Sequence, residues 1–66
     1  MEGTIQNIFR DRGFGFIRAT SGIKYYFKLT SVRNAAALEL SEGQEVTFED
    51  SQEKGMETAD DVFVVK

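Results

Sequence analysis

Apolar and polar residues alternate along most of this chain with the two-residue period of a strand that buries one face. Residues 3–9 (GTIQNIF) are rich in β-branched and aromatic side chains, and residues 14–18 (FGFIR) follow after Asp11-Arg12-Gly13. Ser21-Gly22 marks a turn before a third run at 23–29 (IKYYFKL). Ser41-Glu42-Gly43 marks another turn. Residues 44–50 (QEVTFED) then place Val46 and Phe48 on one face. Lys54-Gly55 signals a last turn, and 61–65 (DVFVV) form the fifth run. Short apolar-alternating runs between glycine turns, with almost no helical period, predict an all-β fold. Five strands is the number in the partly open, antiparallel Greek-key barrel of the oligonucleotide/oligosaccharide-binding type. Residues 30–40 (TSVRNAAALEL) break the pattern. They read as the long connection between the third and fourth strands. One helical turn is expected at 34–37, anchored by Val32 and Leu40, because eleven residues are too few for a helix stable by itself.

The same alternation sorts the aromatic residues. Phe14 and Phe16 share one face of the second strand, with Gly15 and Ile17 on the other. On the third strand Tyr26 and Lys28 share a face, and Tyr25 and Phe27 take the opposite one. Val46, Phe48, Val62, Val64, Ile5 and Ile17 already supply an apolar interior, so both faces of the third strand cannot be core. Two phenylalanines flanking a glycine that packs nothing therefore predict an exposed stacking surface, which the glycine lets a base or backbone approach closely. Phe14, Phe16 and Tyr26, with Arg12 and Lys28 at the rim, make an aromatic platform with cations placed for phosphates. Phe27 belongs to the core.

Composition narrows the function. At 66 residues the chain holds one domain, 1–66, with a small core. It has no cysteine and no histidine. Disulfides, Cys/His metal sites and Ser-His or Cys-His catalytic pairs are thereby excluded. Carboxylates could still do acid–base work, but so small a core leaves little room for a substrate pocket. The expectation is a binding module, not an enzyme, with no metal and no cofactor. No apolar run approaches the roughly 18 residues of a membrane span, and no basic-then-apolar opening suggests secretion. A cytoplasmic protein with no membrane partner, working as a monomer, is expected.

Net charge is −3, but it is unevenly spread. Residues 1–33 carry six Lys and Arg against two acids, for +4; residues 34–66 carry two against nine, for −7. The basic half is the half that holds the aromatic run. The acidic half keeps a small protein soluble.

With these residues in view, the chain resembles the bacterial cold-shock domain family. RGFGFI at 12–17 looks like its first ribonucleoprotein motif, and KYYFKL at 24–29 occupies the place of its second. LSEGQ at 40–44 matches the family's Leu-x-Glu-Gly-Gln turn, and the likeness runs nearly colinearly from 1 to 50. Beyond that it is looser, with one extra residue between Gly55 and Val62. RNA-recognition domains share the first motif, but they are longer, contain two helices and carry it late in the chain. The resemblance implies low-specificity binding of single-stranded RNA or DNA and a role as an RNA chaperone. Arg12, Phe14 and Phe16 match the family directly, and Tyr26 keeps a ring where a phenylalanine is usual. Lys28 replaces a histidine, Leu29 a phenylalanine, Asn7 the first strand's binding tryptophan, and Ala37 a loop phenylalanine. Phe9, two residues past Asn7, partly substitutes for the lost tryptophan, and Arg10 and Lys24 join Arg12 and Lys28 as the cations that flank the platform. The site so read is Asn7, Phe9, Arg10, Arg12, Phe14, Phe16, Tyr26 and Lys28. The alternative is a divergent barrel that binds a protein and little or no nucleic acid, as the lost rings and the acidic half would suit.

Overall fold

A computed structural model describes residues 1–53 and 55–65, with only the backbone at Gln52 and Glu53. Lys54 of the expected 54–55 turn lies outside the described residues, and Gly55 takes a positive φ of 78°. Five strands form: β1 Glu2–Phe9, β2 Phe14–Ala19, β3 Lys24–Lys28, β4 Glu45–Glu53 and β5 Met56–Val64. They close into a barrel in the order β1-β2-β3-β5-β4. Neighbours pair antiparallel except β3 and β5, which are parallel. That exception is forced, because strand directions cannot alternate all the way round a closed ring of five.

The expected interior is the observed one. Ile5, Ile17, Phe27, Val46, Phe48, Val62 and Val64 are buried, with Tyr25, Leu29, Val32, Leu40, Ala19 and Ala59. Tyr25 packs its ring 4.9 Å from that of Phe48. Burial pushes the Tyr25 hydroxyl pKa up, and the carboxylates of Asp50 and Glu57 push it the same way. The stability tied to that proton is present at neutral pH and is lost as pH rises through the raised pKa.

Three segments differ from the sequence reading. The helical turn expected at 34–37 is replaced by two 3-10 turns, Leu29–Ser31 and Ala37–Glu39, so β3 stops at Lys28. Asn34 is used otherwise: its amide donates to the Val64 carbonyl at 2.9 Å, and its oxygen accepts from the Val64 N–H at 2.8 Å. One side chain thus imitates a strand edge and pins the long connection to β5. Val32 and Leu40 do anchor that connection, as expected. Second, β5 starts at Met56, not at Asp61, and β4 runs on to Glu53. A bulge hides this extension. Thr47 pairs with Phe63 and Glu49 with Asp60, which leaves an extra residue on β5. Asp61 takes φ 48° there, and its carboxylate holds Arg33 at 2.7 Å. The extra residue noted between Gly55 and Val62 falls in the stretch that carries this bulge.

The third difference concerns Gly15. It does not leave open space for a ligand; it faces the core. A Cβ there would fall on the Asn7 carbonyl oxygen and 2.8 Å from the Phe27 ring. Gly15→Ala is therefore expected to destabilise by about 1–3 kcal/mol, as overpacking does. In an uncrowded strand the same change would stabilise by about 0.5–1 kcal/mol. A thermal or urea melt reads the sign, and a rise in melting temperature would refute the close contact.

Candidate nucleic-acid interface

A bulge in β1 builds the surface. Ile5 pairs with Ile17 inside the barrel, but Asn7 pairs with Phe16, so β1 carries one extra residue, Gln6. Strict alternation would send Asn7 and Phe9 inward after Ile5. The bulge instead turns them to the outer face and lets Ile8 pack against the core. The outer faces of β1, β2 and β3 then register in three cross-strand rows: Thr4–Arg18–Lys24, Asn7–Phe16–Tyr26 and Phe9–Phe14–Lys28.

Four rings meet in this grid. Phe14 lies 5.0 Å from Phe9 and 5.4 Å from Tyr26, tilted only 33° and 31° to them. Phe16 stands edge-on to Phe9, Phe14 and Tyr26 at interplanar angles of 86°, 87° and 70°. Such pairs hold one another by about 0.5–1.5 kcal/mol beyond their area burial. The rings are consequently not fully open, as the sequence reading had them. Phe14, Phe16 and Tyr26 are partly buried against each other, and Phe9 is 37% exposed.

The cations distribute unequally. Lys28 ends the third row, and Arg12 is exposed in the turn between β1 and β2. Phe9 closes that turn, its carbonyl accepting from the N–H groups of Arg12 and Gly13. Arg10 is partly committed, since its guanidinium donates to the Leu40 carbonyl and ties the long connection to the end of β1. Arg18, which the sequence reading did not place at the site, forms a cationic row with Lys24. Arg18 could have been found two residues past Phe16 by alternation. Lys24 also places its ammonium over the Phe16 ring, 4.4 Å from the centroid. Only cross-strand register brings those two together. Ala37, in the loop, offers no ring, whereas its neighbour Leu38 is 87% exposed.

The surface is a platform and not a pocket. None of the grooves of the described residues is lined by the four rings; one of about 460 Å³ is lined by Met1, Thr47, Phe48, Glu49, Asp61 and Phe63. Among the described residues no three acidic side chains converge as metal ligands, and no helix is long and apolar enough to cross a membrane. An array of half-open rings beside Arg12, Arg18, Lys24 and Lys28 suits planar ligands that carry negative charge.

Comparison with known proteins agrees. The sequence matches the family described as "'Cold-shock' DNA-binding domain" over residues 1–65. No curated protein matches it. A similar solved structure is "drosophila Unr CSD456", with a TM-score of 0.81 and 25% identity. The match covers 98% of this chain and 26% of that one, so this chain spans about a quarter of that length.

Proposed function

The chain belongs to the cold-shock DNA-binding domain family, a family of nucleic-acid-binding modules, and from that premise we propose that it binds single-stranded RNA or DNA on the β1–β3 face. One observation carries the reading: four packed rings in cross-strand register with the Arg18–Lys24 cationic row beside them. Bases stack on such rings whatever their sequence, so specificity is low. An RNA chaperone acting in the cytoplasm as a monomer, with 1–66 as one domain and no catalytic step, completes the proposal. Placement in the bacterial branch of the family rests on the RGFGFI and KYYFKL segments.

A titration of labelled heptathymidine and heptauridine at several salt concentrations tests it. About two to four phosphates are neutralised by Arg12, Arg18, Lys24 and Lys28, so log K should fall against log salt with a slope of about −1.5 to −3. Lys28→Gln should weaken all sequences equally and flatten that slope by about 0.7. A slope near zero, with binding indifferent to the rings, would refute the proposal in favour of a protein-binding barrel.

A further inference from the structure

The Lys24 contact conflicts with simple stacking on Phe16. A base needs the ring face at van der Waals distance, and an ammonium 4.4 Å above the centroid is in its way. The reason Lys24 sits there is electrostatic. Its directly opposite neighbour on β2 is Arg18, and like charges opposed across a strand pair repel. Among the described residues Lys24 takes part in no ion pair. The negative face of the Phe16 ring is the attractive partner left to it. Among the described residues, Phe9, Phe14 and Tyr26 carry no such cap.

We infer that Lys24 is a ligand-displaced cap, which covers Phe16 in the free protein and moves to a backbone phosphate when a base takes the ring. This rests on the nucleic-acid reading above and adds selection to it. A ligand that brings a base without a phosphate must displace the cation and gives nothing back. A ligand that brings both replaces a cation–π contact with a charge pair. The uncapped rings Phe9, Phe14 and Tyr26 accept a base first, and Phe16 is filled only by a nucleotide whose phosphate reaches Lys24. The platform thereby favours phosphodiester chains over uncharged aromatic ligands.

The test compares phosphodiester heptathymidine with its uncharged methylphosphonate analogue, on the natural chain and on Lys24→Gln. The analogue should bind Lys24→Gln about two- to fivefold more tightly than the natural chain, the equivalent of an exposed cation–π contact. The phosphodiester should bind Lys24→Gln more weakly at about 0.05 M salt, with a slope flatter by about 0.7. A second reading uses the Lys24 ε-methylene protons. The Phe16 ring should shift them upfield in the free protein, Phe16→Leu should abolish the shift, and saturating phosphodiester should also remove it. If the analogue binds the variant no better, or if the upfield shift survives saturation with phosphodiester, the cap is refuted while the nucleic-acid reading stands. If the phosphodiester fails to bind the natural chain at all, the nucleic-acid reading falls and takes the cap with it.

Discussion

Phe27→Ala is expected to leave the chain largely unfolded at room temperature. Phe27 is wholly buried, and its ring lies against the backbone of Gly15 on the inner face of β2. That contact is close because Gly15 has no side chain, so nothing next to it can move in to fill the space. Truncating a buried phenylalanine costs about 3–5 kcal/mol, with the upper part of the range where the site collapses poorly. A disulfide-free core of this size supplies about the same amount in total. The expected result is loss of the cooperative thermal transition and collapse of amide chemical-shift dispersion at 25 °C. Phe27→Leu keeps most of the volume and should retain a cooperative melt at lower temperature. A Phe27→Ala chain that melts cooperatively within a few degrees of the natural one would refute the assignment of β3's inner face.

How far the residues disclosed this site depends on where the two-residue period holds. It holds along 14–18 and 24–28, so the sides taken by Phe14, Phe16, Tyr26 and Phe27 were legible in advance. It fails at Gln6, where one extra residue reverses the faces of β1. Phe9 was therefore reachable only through family resemblance, and the reason it joins the platform lies in pairing that no local pattern reports. The period fails again at Asp61. The bulge there, with Thr58 and Ala59 both buried in succession, concealed the first half of β5. Asn34 was read as part of a helical turn because alanines follow it. Its two hydrogen bonds to Val64 are long-range and outweigh local propensity.

Charge was legible in sum and not in use. The positive half of the sequence does fold into the strands that carry the rings. Yet Arg10 and Arg33 are engaged elsewhere, one holding the Leu40 carbonyl and the other Asp61. The −7 half places Glu49, Asp50, Glu57 and Asp60 on β4 and β5, but Glu45 lies directly opposite Thr4 at the end of the cationic row, and Glu42 accepts from the Ile8 N–H of β1. Acids therefore border the cationic row, and a polyanion meets Arg12, Arg18, Lys24 and Lys28 within that border.

Phe16→Ala should separate surface from core with the opposite signature. Phe16 is the ring that touches most of the grid: Phe9, Phe14 and Tyr26 edge-on, and Lys24 above. It is partly buried, so its removal leaves no enclosed cavity, and the loss falls on surface contacts, three ring pairs at about 0.5–1.5 kcal/mol each before the neighbouring rings relax. The variant should remain folded and melt cooperatively. Binding of heptathymidine should fall by about 1–3 kcal/mol, the loss of one stacked base, which is about five- to 150-fold in affinity. The salt slope should stay nearly unchanged, because Lys24, freed from the ring, can still meet a phosphate. That combination distinguishes loss of stacking from loss of charge, which would flatten the slope instead. A Phe16→Ala chain that unfolds, or one that binds as tightly as the natural chain, would show that this ring supports the barrel and not a base.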